Sequence, residues 1–477
     1  MTDTRREFLH QSSRGVLAAL AGASFYVNPR DTRPNIFFAI SDDQSWVHTS
    51  AAGDPVVRTP TFDRVAREGV LFTHAFCCSP SCTPSRSAAL TGQHIWRLKE
   101  AGNLWSTLRK NEFPVYPDLL ERTGYEVGLL RKGWGPGDYK AGGFTRNPAG
   151  PDYKSFEEFL AKLPDGKPFC FWFGTSDPHR PYEPGSGVRS GMSLSDVRVP
   201  PFLPDAPEVR SDLCDYFFEI QRWDRELGQA LDALERRGLL DNTIVVITSD
   251  NGMPFPRAKT NLYDYGTRMP LAVQWRAKVK GGRVVDDFIN FTDFAPTFLE
   301  ACGLKPLPEM TGRSFLDVLT SGRSGRVDPR RDHTVLGRER HTTGAKGGVG
   351  YPMRAIRTYD YLFIKNYEPD RWPACDPPNF QDIDGGPTKT YLLAHRDDPK
   401  VRPLFELACG KRPAEEFYDV RKDPAQMHNI TGSSRAKDRC RERLRKELVA
   451  TRDPRETGGE ILWDTYPYVG PKTFDLT

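Results

Sequence analysis

Three short clusters hold the residues whose types and spacing could do chemistry. Asp42 and Asp43 are adjacent acids, and Asp250 and Asn251 form a second oxygen-rich pair. Four hard oxygen donors without a histidine or thiolate partner suit calcium or magnesium, not zinc. Either pair alone could simply cap a turn. The third cluster runs Cys82-Thr83-Pro84-Ser85-Arg86 and ends on Leu90-Thr91-Gly92. Pro84 pre-sets a first helical turn and Gly92 can end the helix, so Cys82 falls at a helix N-terminus, where free N–H groups attract anions. Arg86 lies one turn on and can reach back to the same point. A cysteine, an arginine and free amides together would recognise a tetrahedral oxyanion, although a buried structural role is the commoner fate of a cysteine.

The elements that must position these clusters are short apolar runs that stop abruptly at polar residues. Asn35–Ile40 stops at Ser41-Asp42-Asp43, and Val127–Leu130 stops at Arg131-Lys132. Phe169–Phe173 is followed by Ser176-Asp177-Pro178-His179, and Thr243–Ile247 by Ser249-Asp250-Asn251-Gly252. Continuous apolar runs of this length read as buried parallel strands. Helical patterns lie between them. Thr59-Pro60 forms a cap and first turn with Gly69 as stop, and Leu213, Phe217, Ile220, Trp223, Leu227, Leu231 and Leu234 make one long amphipathic stripe. Alternating strands and helices predict a mostly parallel sheet covered on both faces, with ligands bound beyond the strands' carboxyl ends. All four polar clusters fall at such ends and can converge.

The 477 residues can bury a large core in two or three domains. A net charge of +4 spread over 67 basic and 63 acidic side chains is a mixed surface, without the basic stripe that nucleic-acid binding requires. Thr4-Arg5-Arg6-Glu7-Phe8-Leu9, the apolar run from Gly15 to Ala23 and the small residues Ala21-Gly22-Ala23 read as a twin-arginine export signal. Residues 1–33 are thus expected to be signal and leader, and the mature protein to be periplasmic with no stable membrane anchor. Nine cysteines are an odd number for a compartment that tolerates disulfides, and Cys375–Cys409 is the pairing most expected.

Cys82-Thr83-Pro84-Ser85-Arg86 with Leu90-Thr91-Gly92 resembles the signature of the sulfatase family. The likeness covers roughly residues 33–450. Ser176–Arg180, Ser249–Pro256, Thr260–Tyr263, Tyr351–Arg354 and Phe417-Tyr418-Asp419 with Asp423-Pro424 point to its heparan N-sulfatase branch, the Met253–Pro256 and Tyr351–Arg354 stretches most specifically. The resemblance implies an alkaline-phosphatase-like fold: a large mixed sheet flanked by helices over residues 34–345, then a smaller α+β domain with an antiparallel sheet over 346–477. Residues 342–349 would be the crossing. It implies that Cys82 is converted to formylglycine by a formylglycine-generating enzyme, leaving Cys77 and Cys78 as bystanders or disulfide partners. It also implies that Asp42, Asp43, Asp250 and Asn251, with residue 82, hold a calcium ion. The hydrated aldehyde would attack sulfur and then collapse back, a release that an ordinary serine or cysteine could not perform.

By the same resemblance Arg86 stabilises the hydrated aldehyde, Lys132 and Lys259 hold sulfate oxygens, and His179 protonates the leaving group. Arg180, Arg340 and His341 are expected at the substrate's sugar or carboxylate. One departure stands out: the family commonly carries a histidine two residues after the Lys132 position, and here Trp134 stands there. Indole donates one hydrogen bond and cannot act as a base. The expected activity is removal of N-sulfate from glucosamine in heparan-type glycans. Removal of O-sulfate from another polysaccharide, such as an algal one, is the alternative. An inactive glycan-binding relative and a phosphonate or phosphodiester hydrolase are weaker ones.

Overall fold

The structure, a computed structural model, describes residues 32–471; the twin-arginine pattern lies outside the described residues. A nine-stranded mixed sheet forms its centre. Its strands are β1 (Asn35–Ser41), β2 (Val70–Phe76), β3 (Glu126–Leu130), β4 (Asp152–Tyr153), β5 (Phe169–Gly174), β6 (Thr243–Ser249), β7 (Arg268–Met269), β8 (Leu271–Gln274) and β9 (Arg283–Asn290). They run in the order β4-β3-β5-β1-β6-β8-β2-β7, with β9 also paired to β2. β3, β5, β1 and β6 are mutually parallel neighbours. β8 runs antiparallel to both β6 and β2, which therefore point the same way.

Side-chain alternation builds the two faces. Ile36, Phe38 and Ile40 of β1 pack with Cys170, Trp172, Ile244 and Val246 against Phe294 and Phe298. Phe37 and Ala39 turn the other way, into Phe171, Phe173, Val245 and Ile247. That second face is covered by the 30-residue helix Pro207–Arg236, whose expected stripe is buried along its whole length. The helix Pro60–Glu68 starts as expected, but its cap differs. Thr59 makes no side-chain cap; the free N–H groups of Thr61 and Phe62 instead donate to the Asp224 carboxylate, each at 2.9 Å. Its stop has a steric cause. A Cβ at Gly69 would lie 2.1 Å from the Val273 carbonyl oxygen, so only glycine lets the two chains pass.

A second, antiparallel sheet of four strands follows: β10 (His333–Arg338), β11 (Met353–Thr358), β12 (Tyr361–Asn366) and β13 (Glu415–Asp419). Residues 342–349 lie between its first two strands. One face packs Val335, Ile356, Phe363 and Phe417 on Cys440, Leu444 and Leu448 of the helix Arg435–Ala450. The other packs Leu336, Met353, Ala355, Leu362 and Ile364 on Phe76, Leu262, Tyr263 and Phe288 of the larger unit. The architecture is the one the resemblance implies, a large helix-flanked sheet with a smaller antiparallel one.

Arg354 of β11 is fully buried between two carboxylates, donating Nε to Asp453 at 2.5 Å and Nη2 to Glu339 at 2.7 Å. Glu339 also accepts two hydrogen bonds from Arg455, at 3.0 and 2.7 Å, so Arg354→Met leaves Asp453 as the buried acid without its counter-charge, a loss of about 3–5 kcal/mol. Urea unfolding measures it, and a loss below about 1 kcal/mol would show that Asp453 finds another partner. The expected Cys375–Cys409 bridge is not formed: all nine cysteines are buried and none is joined in a disulfide. Cys375 Sγ sits 3.4 Å from Thr342 Oγ1, whereas Cys409 packs among Ala374, Phe380 and Leu392. Among the described residues no helix is long and apolar enough to cross a membrane.

Candidate active site

The sheet register brings the two acidic pairs together. Ser41 at the end of β1 is directly beside Ser249 at the end of β6, so the next residues of each strand, Asp42-Asp43 and Asp250-Asn251, emerge side by side. Short bonds tie them: Asp43 N–H donates to Asp250 Oδ1 at 3.0 Å, and Asn251 Nδ2 donates to Asp43 Oδ1 at 2.7 Å. Asp43 takes a left-handed conformation, φ 73°, which aspartate tolerates better than most residues.

Cys82 opens the helix Cys82–Thr91, which ends on Gly92 at φ 68° as its sequence predicts. Only 2 % of the residue is exposed. Its sulfur lies 3.5 Å from Asp42 Oδ1 and 3.4 Å from Lys132 Nζ. Burial pushes the thiol pKa well up, so the unmodified side chain stays protonated and is a poor nucleophile. Arg86, one turn on, is wholly buried and held rigidly. Its Nε donates to Asp250 Oδ2 at 2.8 Å, and Nη1 to the carbonyls of Lys132 and Gly133 at 3.0 and 2.9 Å. Its Nη2 makes no hydrogen bond and lies 3.8 Å from Asp42 Oδ1, a donor aimed at the same point as the Cys82 side chain.

Two lysines complete the ring. Lys132, just past β3, donates to Asp42 Oδ2 at 2.5 Å; Lys259 donates to Asp43 Oδ2 at 2.8 Å and Asp384 Oδ2 at 3.0 Å. Burial works against the ionised acids. At Asp42 the charges of Lys132, His179 and Arg86 outweigh it and hold the carboxyl low, whereas at Asp43 burial wins over Lys259 and the carboxyl is pushed up. Four carboxylates (Asp42, Asp43, Asp250, Asp384) thus face three fixed cations, one negative charge in excess. A divalent cation would reverse that excess and make the site receptive to an anion.

The donor set fits such a cation. Asp42, Asp43, Cys82 and Asp250 present ligand atoms within 4.8 Å of one another. Asn251 Oδ1 is buried and accepts no hydrogen bond, a costly arrangement for a bare amide oxygen and a natural one for a metal ligand.

These groups open into a cavity of about 750 Å³. His179 reaches it from the loop after β5. Its Nδ1 faces the Arg180 carbonyl at 2.6 Å, which makes Nδ1 the protonated nitrogen and turns Nε2 toward Asp43 Oδ2, 3.7 Å away. His341 lines the cavity too, with Nδ1 2.8 Å from Ser81 Oγ; burial lowers its pKa to about 4, which keeps the ring neutral. Trp134 forms wall. Its indole N–H donates to Ser87 Oγ at 2.8 Å, so the ring braces the Cys82 helix.

Two expected substrate contacts are corrected. Arg180 grips Asp212 with both terminal nitrogens, at 2.8 and 2.7 Å, and its guanidinium lies between the Tyr182 and Phe255 rings. Arg340 donates to the carbonyls of Asp464 and Tyr466. Neither lines the cavity. The Met253–Pro256 and Tyr351–Arg354 stretches do not line it either; Met253, Phe255, Tyr351 and Met353 are core residues. Sequence reasoning missed Asp384 and Trp105, both of which face the cavity. Asp384 lies in the loop 381–386 between β12 and β13, and its one signal is the Gly385-Gly386 pair that follows it.

Known proteins resemble this chain in sequence and in fold. The family model described as "Sulfatase" matches residues 34–155 and 152–304, and that of "N-sulphoglucosamine sulphohydrolase, C-terminal" matches 257–379. An ulvan-active sulfatase of Formosa agariphila is 26% identical over 465 residues, covering 92% of this chain and 84% of its own. Human N-sulphoglucosamine sulphohydrolase is 27% identical over 483 residues, covering 88% and 91%. A solved structure of a protein with its substrate D-glucosamine-2-N,6-O-disulfate superposes with a TM-score of 0.63 at 20% identity, covering 90% of this chain and all of that one, a likeness of fold.

Proposed function

The chain belongs to the sulfatase family, hydrolases of sulfate esters or sulfamates, and within it we propose an enzyme that removes N-sulfate from glucosamine at the end of a heparan-type glycan. One observation carries the reading of the site: Cys82, Lys132 and Lys259 meet Asp42 at the floor of a single cavity, with Arg86 buried beside Asp42. Asp42, Asp43, Asp250 and Asn251 would hold a calcium-type ion, which when bound offsets the substrate's charge and polarises its S–O bonds. Formylglycine made from Cys82 would supply the nucleophilic hydroxyl, oriented by Arg86 Nη2. Lys132 and Lys259 each have an ammonium donor at the cavity floor and would take the sulfate oxygens as compact charges. Asp384 holds Lys259 from the other side. Periplasmic export along the twin-arginine route, and maturation by a formylglycine-generating enzyme, belong to the same proposal.

The leaving nitrogen needs a proton as the S–N bond breaks, and His179 Nε2 is the acid that fits. Its Nδ1 is committed to the Arg180 carbonyl, and Trp134 offers no proton to a leaving group. His179→Ala is expected to cost about 10²–10⁴ in kcat on N-sulfoglucosamine and far less on an activated aryl sulfate, whose phenolate leaves unaided. Equal losses on both substrates would assign His179 to sulfate binding instead.

The N-sulfate reading draws support from the C-terminal family match, whose span holds Lys259 and His341 of the cavity lining. The ulvan-active relative supports the second reading, an O-sulfatase on another polysaccharide. Turnover of N-sulfoglucosamine beside sulfated ulvan oligosaccharides separates them. Cleavage of the ulvan sugars alone would retain the sulfatase and discard the N-sulfate.

A further inference from the structure

Arg340 serves the cavity indirectly, through the chain's last described segment. Its guanidinium binds the carbonyl oxygens of Asp464 (3.2 Å) and Tyr466 (2.7 Å), its backbone N–H donates to Asn103 Oδ1 (3.1 Å), and its carbonyl accepts from Leu104 N–H (3.1 Å). Asn103 Nδ2 in turn donates to the Trp463 carbonyl at 2.8 Å. The tail then crosses Trp105 itself. Val469 N–H donates to the Trp105 carbonyl at 2.9 Å, and Gly470 lies against the indole so closely that a Cβ there would sit 2.6 Å from its Cγ. Trp105 is held at φ 51°, an outlier for a bulky side chain that persists only where its surroundings impose it. Trp105 borders the same cavity as Cys82 and Lys132.

We propose that Trp105 is the wall on which the substrate's sugar ring packs, and that segment 463–470 is the strap that holds this wall in place, so that the C-terminal tail determines affinity for saccharides. The proposal rests on the saccharide reading above. An indole presents a large rigid apolar face at little entropic cost, which suits the C–H face of a pyranose. Floor and wall come from different parts of the chain. Asp42, Cys82, Lys132 and Lys259 form the floor, which receives the sulfate. The strap touches none of them through the bonds above; it reaches Asn103, Trp105 and Arg340 and, through the Asp464 carboxylate, Gly350 and Arg371.

Two substitutions in the full chain test it away from the floor. Val469→Pro removes the N–H that binds Trp105, and Gly470→Val drives a side chain into the indole. Both are expected to raise KM for the cleaved saccharide about tenfold, with kcat and the melting temperature close to wild type. Added to Trp105→Ala, neither should raise KM further, because the wall they position is already gone. A fall in kcat with KM unchanged, an unaltered KM, or full additivity with Trp105→Ala would each overturn the strap. A wild-type enzyme that cleaves aryl sulfate but no saccharide at all would overturn it as well, and would identify the underlying reading as the one that failed.

Discussion

Cys82→Ala is expected to leave a folded protein that still binds its sulfated substrate and turns over none of it. The side chain is small, buried and at the first position of a helix, where alanine is tolerated, and its sulfur makes only two polar contacts, with Asp42 and Lys132. Removing it therefore costs little stability. It removes the residue whose formylglycine hydroxyl the proposed reaction bonds to the substrate's sulfur, and losses of about 10⁶ in kcat accompany deletion of a covalent nucleophile. Wild-type protein from a host with the modifying enzyme should show the loss of thiol mass at residue 82 and an aldehyde-reactive product in peptide mass spectrometry. The buried thiol, with its pKa raised, offers no alternative route to an ionised sulfur at neutral pH. Full activity in a protein whose Cys82 is an intact thiol would sink the mechanism.

Asp250→Ala is expected to fail twice over. Asp250 is a candidate metal ligand and also the partner of Arg86 Nε, both side chains being wholly buried. Alanine leaves the guanidinium buried without its counter-charge, at a cost of about 3–5 kcal/mol. It also takes one of three acids from the metal set, so calcium titration by calorimetry should show binding lost and activity should fall with it. Asp250→Asn separates the two failures: an amide oxygen can still accept from Arg86 while the charge is gone. That variant should keep more of the stability yet still lose metal affinity. Full activity of the wild type after rigorous chelation would rule out the metal in this role.

Much of the site was legible because it hangs on strand ends. Asp42, Asp43, Lys132, His179, Asp250 and Asn251 each follow an apolar run, and parallel pairing sends all such ends to one edge. Cys82 and Arg86 were legible because Pro84 and Gly92 bound their helix. Asp384 and Trp105 lacked any such mark. They sit in irregular loops, and only the packing of the second sheet and the tail carries them to the cavity. Arg180 and Arg340 failed for a related reason: adjacency to a motif says nothing about where a long side chain points, and Asp212 and the tail carbonyls bind them elsewhere. Thr59 shows the same limit for caps, since Asp224, distant in sequence, takes over its task.

The pairing of Ser41 with Ser249 has one more consequence. A sheet that shifted β6 by a single residue against β1 would exchange the side chains of its two packed faces, and it would also pull Asp250 and Asn251 one step out of reach of Asp42 and Asp43. Core and cluster thus share one alignment, and neither can be satisfied without the other. On the proposed metal reading, cation affinity would serve as a proofreading signal for the whole sheet: in a refolded or newly made population, the fraction of chains that captures the ion would count the fraction whose central strands have met in the native frame.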